Sequence, residues 1–144
     1  MKDITMRLPT ITTKSGYYLA ITPSLVDGYK TALFSVTSDN FRFSIYLNLE
    51  QMWIFDAALQ RIIAAATDAA TPRKIRNVDY GDAHAYGTVS ISLFDEKIIL
   101  ETRTVIPDLL STAHEIELTT GELEEFSSCV TKVREFMGNQ TEEN

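Results

Sequence analysis

The side chains able to do chemistry in this chain are mostly aromatic rings and cations set on strand-forming runs. Tyr18 lies in the run Gly16 to Thr22, Arg42 and Tyr46 in Phe41 to Leu47, Tyr86 in Ala85 to Phe94, and Lys97 and Arg103 in Lys97 to Val105. With the apolar alternants of each run turned to a core, these six face away from it. Lys14 and Lys30 fall on nearby turns or strands. Exposed rings stack on unpaired bases at about 1–3 kcal/mol per base, and cations meet phosphates. The eight residues form the candidate nucleic-acid-binding set. The plainer account of each is that tyrosine and arginine suit an outer strand face through packing alone.

Other chemistry has little to work with. His84 and His114 stand far apart, with no cysteine or carboxylate at metal-ligand spacing. Cys129 falls beside the apolar stripe of the last helix and reads as a packed thiol. Glu124 and Glu125 sit on a predicted solvent face, where they supply solubility rather than an acid–base pair. No nucleophile elbow, phosphate-binding loop or dinucleotide fingerprint occurs. The expectation is a protein without enzymatic activity, metal or cofactor.

The elements that must position the candidate set alternate between strands and helices. Ile4 to Leu8 reads as a short strand ended by Pro9, and Gly16 to Thr22 as one stopped by Pro23. Asp27-Gly28 marks a turn, Tyr29 to Thr37 a strand, and Ser38-Asp39-Asn40 a second turn. In Phe41 to Leu47 the residues Phe41, Phe43, Ile45 and Leu47 share one face. Asn48 and Gln51 form a capping box for a helix carrying Met52, Phe55, Leu59, Ile62, Ile63 and Ala66 at helical spacing, ended by Pro72. A basic, turn-prone linker follows over residues 72–77. Then come a strand to Phe94, a strand from Lys97, a short strand His114 to Leu118, and a last helix. Thr119 and Glu122 box that helix, Leu123, Phe126, Val130, Val133 and Met137 stripe it, and Gly138 is its expected C-cap. Trp53 and Ile54 widen the apolar face of the first helix and suggest a partner helix or subunit.

The two strand-to-helix junctions coincide at an offset of 71 residues: Ile45 on Ile116, Leu47 on Leu118, Asn48 on Thr119, Gln51 on Glu122, Phe55 on Phe126 and Ile62 on Val133. This predicts an α+β fold of two strand-rich halves, each closed by an amphipathic helix in a β4α–β4α order with antiparallel sheets. The halves would be residues 1–71 and 72–138 of a single domain, followed by a disordered acidic tail over 139–144. On the segment Ile45-Tyr46-Leu47-Asn48-Leu49-Glu50-Gln51-Met52-Trp53, with Phe55 and Leu59, the chain resembles the Whirly family of single-stranded DNA-binding proteins and the positive-cofactor-four domain, a transcriptional coactivator. The resemblance implies a sheet surface that holds single-stranded DNA or RNA. The lysine-rich strand motif of the Whirly family is absent, so no binding residue is carried over by identity.

Charge narrows the partners. The net charge is −7, and residues 1–71 carry six basic and six acidic residues, so the whole excess lies in the second half. An acidic total argues against coating duplex DNA, but binding follows the local field rather than the sum. A single cysteine excludes a disulfide framework. The N-terminal residues hold no apolar stretch of signal-peptide length and no run is long enough to span a bilayer, so the expectation is a cytoplasmic protein with no membrane partner. The leading functional expectation is a single-stranded nucleic-acid-binding protein of replication, recombination or transcription control, assembling as a homo-oligomer through its helices. The competing one is an acidic protein-interaction module, such as a phage or bacterial accessory or inhibitor protein.

Overall fold

The computed structural model describes residues 7–26, 28–67, 75–80, 87–94, 96–104 and 112–140. Its strands are β1 (Ile11–Thr12), β2 (Tyr18–Val26), β3 (Tyr29–Ser38), β4 (Phe41–Leu47), β5 (Ile75–Tyr80), β6 (Gly87–Phe94), β7 (Lys97–Thr104) and β8 (Thr112–Leu118). Helix α1 (Leu49–Thr67) follows β4, and α2 (Thr120–Gln140) follows β8. Strands β1 to β4 form sheet A and β5 to β8 form sheet B, each antiparallel and each in sequence order. The α+β class with two sheet-then-helix halves is therefore the observed one.

Turn and cap chemistry sets these boundaries. Val26 pairs with Tyr29 across a two-residue turn in which Gly28 has φ 81°, a conformation that glycine adopts without a side-chain penalty. Ser38 pairs with Phe41 across residues 39–40. Both helices open on reciprocal boxes. The Asn48 amide donates to Gln51 Oε1 and the Gln51 amide to Asn48 Oδ1, each at 2.8 Å. The Thr119 amide donates to Glu122 Oε1 at 2.9 Å and the Glu122 amide to Thr119 Oγ1 at 3.1 Å.

Four boundaries differ from the sequence reading. Residues 8–10 are not in a strand, and pairing begins only at Ile11, beyond Pro9. Residues 1–6 lie outside the described residues. Strand β2 runs through Pro23 to Val26, because β1 pairs only with Tyr18 and Leu19 and leaves the rest of β2 an edge, where a missing N–H is tolerated. Helix α2 continues through Gly138 to Gln140, and Gly138 lacks the positive φ of a C-cap. Of the predicted tail, residues 141–144 lie outside the described residues. Residues 75–77 of the predicted linker belong to β5, which pairs along β6 from Ile75–Leu93 to Tyr80–Thr88.

The helices cross over. Helix α2 lies chiefly against β1, β2 and β3, and α1 chiefly against β5 and β6, so each helix leans on the sheet of the other half. They run antiparallel: Thr131 Oγ1 donates to Asp56 Oδ1 at 2.7 Å, and Gln60 Nε2 donates to Ser127 Oγ at 3.0 Å. The sequence offset carries Asp56 onto Ser127 and Gln60 onto Thr131, so these two bonds are counterparts under one pseudo-two-fold. Phe55 and Phe126, also counterparts, touch at 5.9 Å between ring centroids, and Phe34 of β3 meets both. Buried residues from both halves form one continuous core, including Leu19, Phe34, Ile45, Leu59, Ile91, Leu100, Phe126 and Val133. Full burial of such side chains contributes about 1.5–3 kcal/mol each.

Candidate nucleic-acid interface

Alternation along β2, β3 and β4 turns Leu19, Ile21, Ala32, Phe34, Val36, Phe43, Ile45 and Leu47 to the core, all of them buried. The intervening residues form the outer face of sheet A. Register aligns them in rows: Tyr18–Thr37–Arg42, then Ala20–Ser35–Ser44, then Thr22–Leu33–Tyr46. Tyr18 and Arg42 lie about 10 Å apart across two strands, and Arg42 and Tyr46 about 13 Å apart along one. Tyr18 is 46% exposed and Tyr46 36% exposed, and Arg42 is exposed as well. The described strand positions of this face hold no carboxylate; Asp39 stands beyond them, in the β3–β4 turn. Small hydroxyl and alanine residues between the rings leave the surface low.

Sequence reasoning missed one member. Tyr29 opens β3 with the same parity as Leu33 and Ser35, and it is 76% exposed at the end of the β2–β3 hairpin. Counting back by twos from Thr37 places it on the outer face, so the signal was present in the alternation. The hairpin runs past β4, whose pairing stops at Ala32–Leu47.

The other candidates do not join this face. Lys30 has the parity of Ala32 and Phe34 and pairs with Leu25, so it takes the opposite face at the hairpin tip. Lys14 sits in the β1–β2 turn, where its amide donates to Glu122 Oε2 at 2.9 Å, which ties it to the start of α2 at the sheet edge. Lys97 and Arg103 share the outer face of sheet B, a different sheet. Arg103 donates from a guanidinium NH2 to Glu101 Oε1 at 3.4 Å, and Glu115 and Glu117 of β8 occupy the same face. Tyr86 and His84 lie outside the described residues.

His114 stacks on Phe41 with ring centroids 3.7 Å apart and is a packing residue. Cys129 is buried in α2, and burial pushes its thiol above the ordinary value, which disfavours the nucleophilic thiolate. Among the described residues no group of three or more His, Cys, Asp or Glu side chains is placed to hold a metal ion. No described helix is long and apolar enough to cross a membrane. No family model matches the sequence, and no curated protein is significantly similar to it.

Proposed function

We propose that the protein binds single-stranded DNA or RNA across the outer face of sheet A, in the service of replication, recombination or transcription control. The observation that carries this reading is the grouping of Tyr18, Arg42 and Tyr46 on one open strand face free of acidic residues among those described. Unpaired bases offer their faces to tyrosine rings and their phosphates to Arg42, whereas a duplex keeps its bases stacked on one another. The β4α–β4α order supports the same ligand class through the resemblance to Whirly and positive-cofactor-four proteins, which we carry forward as part of this reading. Fluorescence-anisotropy titration with single- and double-stranded oligonucleotides at two salt concentrations tests it. Single strands bind more tightly than duplex, and the affinity falls as salt rises. Equal or absent binding of both would remove the reading.

A second reading rests on the outer face of sheet B, where Glu101, Glu115 and Glu117 stand together. That face suits a basic protein partner. Stoichiometric recovery of one basic protein, with no oligonucleotide shift, favours this reading over the first.

A further inference from the structure

The exposed side of α1 carries a stripe at coiled-coil spacing. Glu50, Ile54, Ala57 and Arg61 follow one another at intervals of four, three and four residues, and all are exposed. Trp53 flanks the stripe. Ile54 is 51% exposed and Trp53 55% exposed, an unusual concentration of apolar surface on one helix turn. The corresponding positions of α2 are Gly121, Glu125, Ser128 and Lys132, with Glu124 in place of Trp53, so the apolar feature belongs to one half only.

Two properties of the stripe specify what fits it. First, it is complementary to itself when reversed. Laid antiparallel on a copy about a two-fold axis between Phe55 and Asp56, Glu50 meets Arg61 of the copy, Ile54 meets Ala57, and both pairs occur twice. Acid faces base at each end, and the branched chain of Ile54 enters the space left by a small alanine. This is the isologous geometry that a two-fold dimer requires. Second, the Trp53 ring is already held in place. The Arg134 guanidinium carbon sits 3.8 Å from the ring centroid, and Arg134 Nε is fixed by Asp56 Oδ2 at 2.6 Å. A ring ordered before contact loses less freedom on binding, and buried tryptophans are frequent energetic anchors of interfaces.

We propose that α1 is the docking surface for a second copy of this chain, joined as an antiparallel α1–α1′ pair with Glu50–Arg61′ bridges at both ends. This inference is independent of the ligand reading, because the outer strand faces stay clear of the helices. A contact between two helices of about 28 Å falls near the lower limit of stable interfaces, so the dimer is reversible at micromolar concentrations.

Sedimentation velocity across a dilution series up to about 100 µM tests this. The mass rises from 16.2 kDa toward about twice that value at the upper end. Ile54→Glu keeps the fold, checked by circular dichroism, and stays monomeric throughout. Glu50→Arg alone weakens association at least tenfold, and the double reversal Glu50→Arg/Arg61→Glu restores it. A wild-type chain that remains monomeric overturns the proposal. So does a dimer indifferent to Ile54→Glu, or a double reversal that fails to recover association while the fold is intact.

Discussion

Sheets A and B have the same strand order, the same pairing sense and the same relation to the helices, yet they show solvent opposite surfaces. The outer face of sheet A presents tyrosines, one arginine and small neutral residues; that of sheet B presents Glu101, Glu115 and Glu117 among its cations. Their core faces correspond in kind. Register places Leu19 opposite the role of Val89, Ile21 opposite Ile91, and Phe34 opposite Leu100, and all six are buried. Core positions are constrained by packing density, whereas outer strand positions are free to change sign at little cost to stability. The charge imbalance between the halves of the sequence thus becomes a difference between two faces, and only one of them suits a polyanion. The halves also differ in their connections. Residues 39–40 join β3 to β4, while residues 105–111 join β7 to β8, which is why a single offset cannot align all the strands.

The comparison can be pressed at the paired positions. The rung Asp56–Thr131, with Arg134 on the same carboxylate, is charged, and its counterpart Gln60–Ser127 is neutral. Asp56→Ala leaves Arg134 uncompensated beside the helix seam and costs about 3 kcal/mol in urea unfolding. Ser127→Ala costs about 1 kcal/mol or less in the same assay. Equal losses would mean that the two rungs carry equal weight. Gly87 comes next. A Cβ there would lie 2.7 Å from Ile45 Cγ2 and 3.1 Å from Phe43 Cε2, so β6 approaches β4 where only glycine fits. Gly87→Ala lowers stability by about 1–3 kcal/mol through overpacking, and no loss would show that the sheets separate freely there. The caps should respond alike: Asn48→Ala and Thr119→Ala each cost about 1 kcal/mol, because each box satisfies the same two amides.

Cys129 gives the smallest effect. The offset places it on Ala58, and both are buried, so Cys129→Ala changes stability at neutral pH by less than about 1 kcal/mol. Burial raises the native thiol above its ordinary value of 9.0. The unfolded chain therefore ionises first, and stability present below that value falls as the pH rises toward the native one. The alanine variant should lack this alkaline loss, which unfolding titrations at neutral and alkaline pH would reveal.

Much of the scaffold was legible because local chemistry agreed with the fold. Asp27-Gly28, the strict alternation of Phe41 to Leu47 and the two capping boxes each name a boundary without help from distant residues. Strand β5 was not legible: Arg76, Asn77 and Asp79 are poor strand formers, and only pairing with β6 makes the segment extended. The crossing of the helices was equally hidden, since both stripes look the same whichever sheet receives them. For the site, alternation told which side of each strand faces out, but the candidate set drew on both predicted halves, and the two sheets divide it, with Lys97 and Arg103 apart from Arg42. Tyr29 escaped notice because it is the first residue of its strand, beside the Asp27-Gly28 turn, and its outward parity shows only when counted back from Thr37.

Oligonucleotide affinity in paired variants of the two faces bears on the account more directly than any stability measurement. Anisotropy titration of Arg42→Ala/Tyr46→Ala against a fluorescent single strand should show at least a tenfold loss, given about 1–3 kcal/mol for one stacked base. Lys97→Ala/Arg103→Ala on the acidic sheet should bind like the wild type. Loss confined to the second variant, or undiminished binding by the first, would contradict the assignment of the ligand face to sheet A.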